Sequence, residues 1–81
     1  MATEIHPGEI LLEDFMKPMG ISARELSAQL GLPESQIDEL LRGARPITLD
    51  VAARLGRHFR MEPGFWLNLQ AEYDRRVAWR T

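Results

Sequence analysis

The chain has 81 residues, no cysteine and a formal net charge of −2 at pH 7, which describes one domain (1–81) near the small end of what folds alone, with neither a disulfide framework nor a thiolate metal site. No apolar run approaches the ~20 residues that cross a bilayer, and Met1-Ala2-Thr3-Glu4-Ile5-His6-Pro7-Gly8 has neither a basic start nor an apolar core, so a cytoplasmic protein without membrane contact is expected. Charge is unevenly spread: residues 1–40 hold two basic side chains against eight acidic ones, whereas residues 41–81 hold eight arginines against four acids, a pattern that permits separate acidic and basic surfaces.

In chain order, Pro7 and Gly8 precede a helical pattern with Ile10, Leu11 and Phe15 inward and Glu9, Glu13 and Asp14 outward. Pro18 is expected to stop it, because the residue before a proline avoids helical dihedrals. Ser22 and Glu25 have the spacing of a capping box that opens a second helix, with Leu26 and Leu30 on its buried side and Gly31 at its end. Pro33 suits the first turn of a third helix, whose inward stripe is Ile37, Leu40 and Leu41 and whose outward residues are Glu34, Ser35, Asp38, Glu39 and Arg42. Gly43-Ala44-Arg45-Pro46 reads as a loop, and Thr48 as the cap of a fourth helix with Ala52, Leu55 and Phe59 inward. Glu62-Pro63-Gly64 opens a fifth, at about residues 63–80, in which Trp66, Leu69, Tyr73 and Val77 recur at three- and four-residue steps. There is no strand pattern, repeat or linker. The fold class is therefore all-α, a compact bundle of about five helices.

The second and third helices, joined by one glycine-centred turn, have the spacing of a helix-turn-helix, which makes double-stranded DNA the first partner to test. On that reading Arg24, Glu34, Ser35, Gln36, Asp38, Glu39, Arg42 and Arg45 form the DNA-binding set. Arg42 and Arg45 hold phosphates, and Ser35, Gln36 and Glu39 reach bases. Carboxylates on the reading helix repel phosphates but are able to read cytosine N4 when cations stand nearby. The bland reading is a structural αα-hairpin. Arg54, Arg57 and Arg60 extend the basic run into the fourth helix, as phosphate contacts or as a solvated face.

Phe65, Trp66, Leu69, Tyr73 and Val77 are expected in the core or in a dimer interface rather than around a ligand, and Trp79 near the chain end suggests self-association or a partner contact. A homodimer would also help so small a domain. His6, Glu9 and Glu13 share one helical face, but one imidazole at a helix boundary makes a poor metal set, so no metal or other cofactor is expected. Two histidines, no cysteine and serines explained by capping leave no nucleophile with a base beside it, and no enzyme activity is expected.

Over nearly its whole length the chain resembles the HigA-type (VapI-like) antitoxins of the lambda-repressor/Cro-like helix-turn-helix superfamily. The resemblance rests on His6-Pro7-Gly8-Glu9-Ile10-Leu11 with Phe15 and Pro18, on Gly31-Leu32-Pro33 with Ser35, Ile37 and Glu39, on Gly43, Arg45 and Ile47-Thr48, and above all on Phe65-Trp66-Leu67-Asn68-Leu69-Gln70. It implies an antitoxin that neutralises a HigB-like, RNA-cleaving toxin, dimerises, and represses its own operon at an operator. This chain departs from the family where a basic residue is frequent (Gln36), where a small hydroxyl is (Asp38), and in a loop that often reads Asn-Gly-Lys-Arg and here reads Arg42-Gly43-Ala44-Arg45. Because such toxins need cationic surfaces to hold RNA, Glu9, Glu13 and Asp14 are the candidate toxin-binding residues. The alternatives are an inhibitor without operator binding and a stand-alone transcriptional regulator.

Overall fold

The computed structural model describes residues 5–80, with Arg80 described by its backbone alone. Glu4, counted above among the acids, and the start of the segment read for a targeting signal lie outside the described residues.

The first helix, α1, begins at Pro7–Ile10, widens into a π-helical turn over Leu11–Met16 and closes with Lys17–Met19. It runs through Pro18, contrary to expectation, and ends on Gly20 (φ 68°). The π-helical turn supplies the reason. A proline inside an α-helix lacks the N–H to donate and collides with the carbonyl four residues back. Here the Lys17 N–H reaches back five residues to Leu12 O, and the wider turn relieves that collision.

α2 (Ala23–Leu30) opens on a complete capping box: the Glu25 N–H donates to Ser22 Oγ (3.0 Å) and the Ser22 N–H to Glu25 Oε1 (2.8 Å). It ends at Gly31 (φ 73°), a left-handed conformation that a side chain would strain. The Gly31 and Leu32 N–H groups both return to Ser27 O, which reverses the chain into α3 (Glu34–Leu41) within three residues. Pro33 is the N-cap of α3 rather than part of its first turn. α4 (Leu49–Phe59) is capped by Thr48, whose Oγ1 accepts from the Val51 N–H, and ends with Arg60 at φ 59°. α5 (Pro63–Arg80) is the longest helix at 18 residues.

These five helices bury Leu11, Met16, Leu26, Leu30, Ile37, Leu40, Ile47, Val51, Ala52, Leu55 and Trp66 in one core, and among the described residues there is no strand. α4 lies along α5, and α2 against α3. Ile10, Phe15, Leu41 and Phe59, expected inward, are half-buried and pack against this core. The start of α1 docks on the end of α3 at a distance only glycine permits: a Cβ on Gly8 would lie 1.8 Å from Leu40 O. His6 seals the junction. Its Nδ1 accepts from the Gly8 N–H (2.9 Å), and its ring meets Tyr73 of α5 edge-on at 4.8 Å.

Candidate nucleic-acid interface

α3 turns its apolar positions Ile37 and Leu40 into the core, both fully buried, and this rotation fixes what faces out. Ser35, Asp38, Glu39 and Arg42, spaced by three and four residues, fall on one stripe. With Leu41 they line a shallow open concavity. Glu34 is exposed at the start of the helix and Gln36 is half-buried beside it, while Arg24 is exposed on α2. The structure thus brings together Ser35, Asp38, Glu39 and Arg42 on α3, and Arg24 stands on α2.

The cations are not equivalent. Arg42 is exposed and has no ion pair among the described residues. Arg45 folds back from the loop onto α3, donates from Nε to Glu39 Oε1 (2.8 Å) and places Nη2 at 2.7 Å from the same oxygen as an ion pair. Arg54 is engaged within the chain: Nε meets both oxygens of Asp50, and Nη1 donates to Leu30 O (2.8 Å), the carbonyl at the end of α2. It satisfies a helix C-terminal carbonyl and ties the turn of the motif to α4. Arg54 therefore serves as a structural clamp, which residue type and spacing alone did not indicate. Arg57 lines a small recess with Gln29, Leu30, Arg54 and His58.

The other predicted sets lie on α1 and α5. Glu9, Glu13 and Asp14 share a shallow recess with Ile5 and Ile10, and Glu13 is paired with Lys17 at 2.9 Å. Of the aromatic stripe, Trp66 is fully buried, with an indole N–H that has no hydrogen-bond partner among the described residues. Leu69, Tyr73 and Val77 are half-buried, Phe65 is 40% exposed, and Trp79 is 89% exposed. Glu72, between Arg75 and Arg76, is held below the usual carboxylate range mainly by its hydrogen bonds to those two guanidinium groups.

Two residues of the sequence motifs acquire roles that pattern reading missed. His6 caps α1, and burial pushes its imidazole below the ordinary value of 6.5 against the opposing pull of Asp74. Gln70, nearly buried, accepts from the Ile47 N–H (2.8 Å) and donates to Asp74 (2.8 Å). It thereby anchors the strap between α3 and α4 onto α5. A buried polar side chain inside an apolar stripe signals such a tie, because it must find partners. No group of three or more metal-ligating side chains occurs among the described residues, and no helix among them is long and apolar enough to cross a membrane.

Residues 12–70 match the Cro/C1-type helix-turn-helix DNA-binding domain. Virulence-associated protein I of Dichelobacter nodosus is 49% identical over 74 residues, covering 91% of this chain and 68% of that protein. Among solved structures, an addiction module antidote protein of the HigA family from Coxiella burnetii is similar at 43% identity and a TM-score of 0.92, over 98% of this chain and 86% of that one. The antitoxin HigA of Pseudomonas aeruginosa, solved with the higBA promoter, is similar at 38% identity and a TM-score of 0.94, over 96% and 85%. The chain belongs to the Cro/C1-type helix-turn-helix family, within the branch that holds virulence-associated protein I and the HigA-type antitoxins.

Proposed function

We propose that the chain is a cytoplasmic DNA-binding antitoxin that represses its own operon as a homodimer and neutralises an RNA-cleaving, HigB-like toxin. The observation that carries the DNA half is the outward stripe Ser35, Asp38, Glu39 and Arg42 on the second helix of a fully formed helix-turn-helix. The relative solved with promoter DNA supports it. In this reading α3 enters the major groove, Arg42 holds a phosphate, and Ser35 and Gln36 approach base edges. Leu49, Phe65 and Trp79, exposed on α4 and α5, favour burial against a second copy, with the C-terminal helix in the dimer interface. The test is a footprint on the DNA upstream of the gene, paired with sedimentation. Two symmetric half-sites about one helical turn apart, ~34 Å, and a dimer at tens of micromolar are expected. A monomer with no protected site contradicts the reading.

For neutralisation the supporting observation is the carboxylate set Glu9, Glu13 and Asp14 around exposed Ile5 and half-buried Ile10 on α1. Acidic side chains there steer a cationic toxin into contact. Replacing all three by glutamine is expected to slow association with the toxin at low salt and to leave operator binding intact. An unchanged rate in surface plasmon resonance moves the site towards α5 and Trp79.

A second reading, a protein inhibitor without operator binding, draws on the exposed carboxylates of Glu34 and Asp38, which have no cationic partner among the described residues. The footprint separates it from the first.

A further inference from the structure

We propose that Glu39 is a base-reading side chain selective for cytosine and that Arg45 is the residue that positions it. The proposal rests on the DNA-binding reading above and adds to it the base and the device.

α3 carries three carboxylates. Glu34 and Asp38 are exposed and unpaired among the described residues, so each meets a polyanion with its full charge. Glu39 differs, because the Arg45 guanidinium, six residues on, donates from Nε to its Oε1 at 2.8 Å and sets Nη2 at 2.7 Å from that oxygen as an ion pair. The pair is formally neutral, so it approaches the duplex without the repulsion its neighbours suffer. Both contacts fall on the same oxygen, and Oε2 accepts no hydrogen bond among the described residues. That leaves one acceptor on a side chain of the outward stripe that is tethered from the loop.

The chemistry of the major groove then selects the base. Only cytosine N4 and adenine N6 donate hydrogen bonds there. Adenine sets the acceptor N7 beside its amino group, and a carboxylate has no proton to offer it. Cytosine presents no such acceptor next to its donor in the groove. An acceptor-only group therefore favours cytosine. Arg45 has five N–H donors, of which only Nε–H makes a hydrogen bond among the described residues, and those facing away from Glu39 stay available to a phosphate.

The experiment is selection and sequencing of bound duplexes from a randomised pool by the full chain, with Glu39→Gln, Arg45→Ala and Arg45→Lys beside it. Thermal melting first checks that each variant folds, as expected for an exposed pair that contributes little to stability. The wild type is expected to enrich a C·G pair at one position of each half-site, by about tenfold or more over the other pairs. Glu39→Gln moves that position to A·T, since an amide both donates to N7 and accepts from N6. Arg45→Ala flattens the preference there and at no other position, an effect that general loss of stability does not produce. Arg45→Lys restores part of it, keeping the charge without the fork.

Three results overturn the proposal in different ways. If Glu39→Gln keeps every base preference and binds all sequences more tightly, Glu39 is a decoy that holds Arg45 away from phosphate. If Arg45→Ala keeps the same preference, Arg45 does not position Glu39. If the wild type enriches nothing over the starting pool, sequence-specific DNA binding itself fails.

Discussion

Protonation at His6 is coupled to the docking of α1. The ring is held neutral by burial, and its Nδ1 accepts the Gly8 N–H, which only an unprotonated nitrogen does. The folded state thus binds the proton less readily than the unfolded chain. Stability from this group is fully present above pH 6.5, the ordinary value, and is lost as pH falls through 6.5 towards the lowered folded value. Urea midpoints measured from pH 8 to pH 5 are expected to fall across that window, and the fall should be shallower in His6→Asn, which retains a cap but does not titrate. An equal slope in the variant shows that the coupling lies elsewhere. At Gly8 the prediction is steric. Gly8→Ala forces backbone to move at Leu40 O and is expected to cost about 1–3 kcal/mol. Arg60, a non-glycine residue at φ 59°, gives the opposite sign: Arg60→Gly is expected to stabilise by about 0.5 kcal/mol, read by denaturant melting.

Among the helices, what sequence disclosed depended on whether the signal was local. The Ser22/Glu25 capping box, the Gly31 turn and the Thr48 cap are set by neighbours within four residues, and the structure shows each in the predicted place. The inward residues Leu26, Leu30, Ile37, Leu40, Ala52, Leu55 and Trp66 follow helical spacing and are buried. Pro18 misled because its local rule assumes an α-helical turn ahead of it, and the π-helical turn over Leu11–Met16 removes that premise. Arg54 was illegible for another reason. Its carbonyl acceptor at Leu30 is 24 residues away, and no pattern in α4 distinguishes a clamp from a solvated arginine. The ion pair of Glu39 with Arg45 crosses from helix to loop and is equally invisible to periodicity. The clamp makes its own prediction. Arg54→Ala frees the Leu30 carbonyl and the Asp50 carboxylate, so it is expected to cost about 1 kcal/mol in stability. If the engaged guanidinium makes no phosphate contact, the variant weakens DNA binding by loosening the motif and leaves the salt dependence of binding unchanged; a fall in the salt slope would instead make Arg54 a phosphate contact.

The whole molecule, 36 × 22 × 21 Å, sets two chemistries on separate helices. α1 carries the carboxylates Glu9, Glu13 and Asp14 beside Ile5 and Ile10, whereas α3 and the loop behind it carry the stripe that ends in Arg42. Under the proposed function these are the toxin contact and the DNA contact, on separate helices. The charge split between the sequence halves does not map onto these two surfaces, since α1 and all but the last residue of α3 lie in the acidic half; and with Arg54 and Arg45 engaged within the chain, Arg42 is left as the free cation of the reading stripe among the described residues. The most direct measurement is therefore a fluorescence-anisotropy titration of the upstream duplex over a range of salt, with the wild type and Arg42→Ala. If α3 lies in the groove with Arg42 on a phosphate, the variant binds every sequence more weakly and its salt slope falls by about one ion per contact. An affinity and a slope both equal to those of the wild type would contradict that placement.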